Sequence, residues 1–117
     1  MALRNKTTVH LTMVYDAVRA CMAGALAAGH GWHAVTIGTD GVPVCRVEAE
    51  RRVSPEEYFG RGDRYPVTVF STLGGGPLSR AGVAEALDGF DPRRQFDGLG
   101  GEAELVRRLM AAGYNVD

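Results

Sequence analysis

The chain has 117 residues, 45% of them hydrophobic and 23% charged, with a formal net charge of -1. That length predicts a single domain over residues 1–117, and that apolar fraction excludes a wholly disordered or acidic solvating segment. The near-neutral balance disfavours a generic binder of nucleic acid or anionic membrane.

Residues 7–14 alternate, with Val9, Leu11 and Met13 on one side and Thr8, His10 and Thr12 on the other. This period of two, rich in β-branched residues, predicts a strand, with Asp16 as N-cap of the helix that follows. The competing reading is one long helix from about Thr8 to Ala28. A helix over Ala17–Ala28 is Ala-rich and ends at Gly29, which suits the left-handed conformation past a helix end. Val18, Cys21, Met22, Ala25 and Leu26 form its inward stripe. Ala20, Ala23, Gly24 and Ala27 lie opposite, small rather than polar. A helix without a polar face is normally covered on both sides, which predicts self-association through Ala17–Ala28 or cover by other helices.

Trp32–Gly38 and Val42–Val53 read as strands joined through Thr39-Asp40-Gly41, an Asp-Gly hairpin signal. In the second strand Cys45, Val47 and Ala49 face one way, and Arg46, Glu48 and Glu50 the other, as on a sheet with one wet face. Ser54-Pro55-Glu56-Glu57 opens a short helix that Gly60 ends. A polar loop, Arg61-Gly62-Asp63-Arg64, leads to a strand from Pro66 to about Thr72. After Gly74-Gly75-Gly76-Pro77, Ser79 caps a helix reaching Asp88, with Val83, Leu87 and Phe90 inward. Asp91-Pro92 starts a single turn. The last helix, Glu102–Ala112, turns Val106, Leu109 and Met110 inward, carries acid early and base late, and ends at Gly113 before a short tail. The fold class is therefore α+β, a two-layer sandwich with an antiparallel sheet. The first six elements follow the ferredoxin-like βαββαβ order, with C-terminal helices added.

Two cysteines, Cys21 and Cys45, are too few for a disulfide framework; a single bridge between them is geometrically possible but nothing in the sequence recommends it, and free thiols are expected. Asp16 and Arg19 interrupt the apolar N-terminal region, so it is not read as a signal peptide. The charge-free run Ala20–Gly29 is too short for a membrane span. These features predict a soluble, cytoplasmic protein without a membrane partner.

The glycine loop Gly74-Gly75-Gly76, with Arg80 one turn into the next helix, is a candidate phosphate cradle. It lacks the Gly-Lys-Ser/Thr ending and the Gly-x-Gly-x-x-Gly spacing of the nucleotide fingerprints. His30, His33, Cys21 and Cys45 are capable ligands without the paired spacing of zinc sites, so no metal or other cofactor is assigned. A Cys45–His33 nucleophile pair lacks an orienting third group. Glu56 and Glu57 are adjacent helical positions that do not face each other. Without a catalytic constellation, the chain is read as leaning away from an enzyme.

Arginine is the remaining signal. Of 13 basic side chains only Lys6 is lysine, so 12 are arginine. Codon usage in a GC-rich genome gives this pattern, and so does a need for forked, weakly hydrated contacts. Arg107 and Arg108 suit a helix end, and Arg93 and Arg94 a polar turn. Arg46, Arg51, Arg52, Arg61 and Arg64 instead cluster in sequence with Tyr58 and Tyr65, a composition shared by protein-docking hot spots and single-strand platforms. The acidic residues among them favour a protein partner over nucleic acid. The expected function is a small non-enzymatic protein-binding module: an inhibitor, adaptor or regulatory protein, of the kind a phage or mobile element of a GC-rich host would carry. The alternatives are a small-molecule or nucleotide-phosphate binding domain using Gly74–Gly76, and nucleic-acid binding through the Arg46–Arg64 surface.

Overall fold

The computed structural model describes residues 7–29, 32–47, 66–70 and 76–117. The N-terminal segment departs from the sequence expectation. Only Thr8–Val9 (β1) is extended, and helix α1 runs over Leu11–Ala28. The competing long-helix reading is thus nearer for this stretch, and Asp16 lies inside the helix rather than capping it. His10 occupies the N-cap position without a side-chain cap bond. In its place the Leu11 N–H donates to the Asp117 carbonyl at 2.9 Å, so the chain end satisfies one orphan amide of the first turn. That carbonyl is brought there by β5 (Asn115–Val116), which pairs parallel to β1 with Thr8 opposite Asn115 and Val9 opposite Val116. The predicted tail is therefore a strand.

Three further strands form an antiparallel sheet in the order β3-β2-β4, with β2 at Trp32–Ile37, β3 at Pro43–Val47 and β4 at Pro66–Phe70. The β2–β3 hairpin turns where Asp40-Gly41 predicts. Gly41 has φ +79°, and the Asp40 carboxylate accepts from the Val42 N–H at 3.0 Å. A Cβ on Gly41 would stand 2.6 Å from the Thr8 carbonyl oxygen, so the turn needs glycine for space as well as for φ. Tyr114 Oη donates to the Gly38 carbonyl at 3.2 Å, which ties the hairpin tip to the C-terminal segment.

Helix α1 lies against β2 and β3. Its residues Val14, Val18, Met22 and Leu26 pack in one core with Val35, Ile37 and Val67. Val35 faces Cys45 across β3 and Val67 across β4, so the three share the face that meets the helix. Here the expectation of free thiols is corrected: Cys21 and Cys45 form a disulfide with a Cα–Cα separation of 5.5 Å. The inward stripe of α1 and the inward face of β3 bring the two residues within bridging range. The bond also removes the thiol that a Cys45–His33 nucleophile pair would require.

With its earlier start, α1 is long and apolar enough to cross a membrane by length and composition. In the fold, six of its 18 residues (Val14, Val18, Cys21, Met22, Ala25 and Leu26) are buried against the sheet and the core. Its far side, with Met13, Ala20, Gly24 and Ala27, is exposed. Gly29 closes the helix at φ +76°, donating to Ala25 and Leu26 carbonyls as the sequence predicts.

Ser79 caps helix α2 (Arg80–Ala86), its Oγ accepting from the Gly82 N–H at 3.1 Å. Leu87 is buried just past this helix, and Val83 and Phe90 pack against the core. The turn expected at Asp91-Pro92 extends to a 3₁₀ segment, Pro92–Leu99, whose Phe96 is fully buried. Helix α3 (Glu102–Ala111) buries Leu105 and Leu109, whereas Met110, expected inward, is 60% exposed. The fold is α+β, as expected. In the ferredoxin-like order the first strand would join the main sheet; among the described residues β1 pairs with β5 instead. The later part of the second predicted strand and the helix opened by Ser54 lie outside the described residues.

Candidate functional site

The sequence-predicted docking residues fall largely outside the described part of the chain. Arg46 stands in β3 opposite Ala34. Arg51, Arg52, Tyr58, Arg61, Arg64 and Tyr65 are outside the described residues, as are Gly74 and Gly75. Of the glycine loop, Gly76 has φ +79° and Pro77 abuts the end of α1, where a Cβ on Gly29 would stand 2.7 Å from the Pro77 nitrogen. The Leu78 N–H donates to the Leu26 carbonyl at 3.0 Å, and Arg80 is exposed at the start of α2. This part of the loop straps α2 to the C-terminus of α1. Among the described residues no group of three His, Cys, Asp or Glu side chains is placed to hold a metal ion.

A different arginine and aromatic cluster is assembled where α1, the Phe90–Phe96 stretch and the start of α3 meet. Tyr15 and Arg19, one turn apart on α1, project on the same side. The Tyr15 hydroxyl donates to Glu102 Oε2. The Arg93 guanidinium lies 5.8 Å from the Tyr15 ring centroid, and the buried Phe96 ring packs on the same tyrosine at 5.8 Å and 43°. Arg19 Nη1 donates to the Phe90 carbonyl at 3.4 Å. The Arg93 N–H is itself fixed by Asp91 Oδ1 at 3.0 Å. Arg19, Arg93, Arg94 and Glu102 are exposed, while Tyr15 and Phe90 are half-buried.

This cluster was not singled out in the sequence, where Arg93 and Arg94 read as a polar turn. The available signal is the Tyr15–Arg19 spacing on a mostly apolar helix, but the elements that complete the cluster are distant in the chain. Arg107 and Arg108, expected to complement a helix end, also clasp Glu104. Arg107 Nε donates to Oε2 at 2.8 Å and Arg108 Nε to Oε1 at 3.1 Å. The hydrogen bonds from Arg107 and Arg108 hold the Glu104 carboxyl down at about 2.

His33 has a different character. It is fully buried on β2, and neither ring nitrogen has a hydrogen-bond partner among the described residues. Burial pushes its pKa down to about 4, so the ring is neutral near neutral pH. It lies on the same face of the strand as the buried Val35 and Ile37. This is the position of a core side chain with an unsatisfied polar edge, and it belongs to the energetics of the fold.

Compared with known protein families, curated proteins and solved structures, the chain matches none.

Proposed function

We infer that the chain is a small non-enzymatic module that docks on a partner protein as an inhibitor, adaptor or regulatory protein. The observation that carries this reading is the Tyr15–Arg93 stack with Arg19 and Phe90 beside it. It places half-buried aromatic rings beside exposed forked donors at one junction of three elements. Tyrosine and arginine dominate docking energetics because they offer large contact area and several hydrogen bonds at modest ordering cost. Here that cost is reduced further, since Glu102 and Asp91 already hold the tyrosine hydroxyl and the Arg93 backbone. The surface around Arg46, Arg52 and Tyr58 is a second proposed docking region. The accompanying architectural reading is a two-layer sandwich, supported by α1 lying on β2 and β3. The Cys21–Cys45 bond suits an oxidising compartment better than the reducing cytoplasm expected from sequence.

The test is co-purification of partners by wild type against two charge-reversal pairs, Arg19→Glu with Arg93→Glu and Arg46→Glu with Arg52→Glu. Loss of a partner with either pair, at unchanged melting temperature, supports docking there. A thermal-shift panel of nucleotides and phosphorylated metabolites tests the rival phosphate reading at Gly74–Gly76 and Arg80. Binding to single-stranded nucleic acid that weakens steeply with salt would favour the nucleic-acid reading. Self-association is proposed through the exposed Ala20, Gly24 and Ala27 side of α1.

A further inference from the structure

The Cys21–Cys45 disulfide joins the middle of α1 to β3, which is an edge strand among the described residues. Its two ends sit in different surroundings. Cys21 is 1% exposed within the core, whereas Cys45 is exposed on the strand. We propose that this bond is a thiol-exchange site, attacked at Cys45 by a small thiol or dithiol and releasing Cys21 into the core.

Exchange requires a thiolate to approach one sulfur in line with the bond that breaks. The exposed Cys45 is the end of the bond that an entering thiolate can reach, whereas Cys21 lies within the core. The entering thiolate forms a new S–S bond to Cys45, and the electron pair of the old bond leaves on Cys21 Sγ. Burial disfavours the thiolate there, so the leaving sulfur takes up a proton. The Ala34 carbonyl oxygen stands 3.7 Å from that sulfur, placed to accept from the new S–H. A second thiolate then attacks the sulfur of the bound reductant, forming the reductant's own disulfide and expelling Cys45 as a thiolate, which solvent protonates. Two electrons and two protons enter, and two cysteine thiols result. Among the described residues, opening the bond leaves β3 joined to α1 by packing, with Val44 49% exposed on the strand and Val42 43% exposed just before it. Exposed disulfides are the ones prone to exchange, whereas buried ones resist the thiol pool. The proposal is independent of the docking reading.

The experiment incubates the intact oxidised chain, without denaturant, in mixtures of reduced glutathione and glutathione disulfide. The reaction is quenched with acid and the mixed disulfide is located by peptide mass spectrometry. The expected result is an adduct on Cys45, with a reduction rate by dithiothreitol that is first order in thiol and insensitive to low denaturant. An adduct chiefly on Cys21, or equally on both, overturns the proposal. So does a rate that climbs with denaturant along the full unfolding slope, because reduction would then require global unfolding. As a second measurement, alkylation of Cys45 in Cys21→Ser is expected at least about tenfold faster than alkylation of Cys21 in Cys45→Ser. Equal rates in the two variants overturn it.

Discussion

Replacing Cys45 by serine removes the link between α1 and β3 while leaving the buried Cys21 thiol beside the Ala34 carbonyl. The cross-link closes a loop with a sequence separation of 24 residues. In the chain-entropy model such a loop costs the unfolded state about 12 cal/mol/K, equivalent to about 3.5 kcal/mol at 25 °C. Taking about 2.1 cal/mol/K of unfolding entropy per residue, that loss lowers the melting temperature by about 14 °C. The assay is thermal unfolding followed by circular dichroism, for oxidised wild type, reduced wild type and Cys45→Ser. The reduced wild type and the variant should melt together, well below the oxidised chain. A shift of less than about 3 °C would mean that a loop of this length does not constrain the unfolded chain.

Three other outcomes are expected. His33 has a folded pKa below its ordinary value, so the native state binds fewer protons than the unfolded chain. Its contribution is complete above pH ~6.5 and lost as pH falls towards ~4, a loss of about 3 kcal/mol. Denaturant titrations across that window should show the loss in wild type and a flatter profile in His33→Leu; identical profiles would contradict the assignment. Gly29→Ala forces an L side chain to φ +76° with its Cβ 2.7 Å from the Pro77 nitrogen, and should cost more than about 1 kcal/mol by chemical denaturation. Gly24→Ala meets nothing within 4 Å in a single chain and should stabilise a monomer by about 1 kcal/mol. Under self-association, light scattering coupled to size exclusion should show a dimer that this substitution weakens. A strict monomer at high concentration would exclude self-association through that face.

The parts of the fold legible in the sequence are those written in local chemistry. Asp40-Gly41 turns the hairpin, Ser79 caps α2, and Gly29 and Gly113 end helices, because each depends on neighbours a few residues away. The start of α1 was not legible. Val9, Leu11, Met13 and Val14 fit a strand period as well as the opening of a helix, and the partner that decides between them, Asp117, sits at the far end of the chain. The inward face of α3 lies part of a turn from the one the sequence predicts. Leu105–Leu109 and Val106–Leu109–Met110 are both apolar stripes through Leu109, and only the neighbouring 3₁₀ segment decides which is covered. The disulfide is not legible either: the pattern puts Cys21 and Cys45 on inward faces, but their proximity depends on how α1 packs on β3. The Tyr15–Arg93–Glu102 cluster was not visible, because it depends on how three elements meet rather than on any motif within one of them.

The docking reading is tested most directly by quantitative affinity purification from a lysate of the chain's own host, comparing wild type with Arg19→Glu plus Arg93→Glu. At least one protein should be enriched on wild type and reduced by about tenfold or more on the variant, the size of effect expected when hot-spot side chains are lost. The variant should meanwhile keep its melting temperature. An identical set of captured proteins on both baits, or none on either, would contradict docking through this surface.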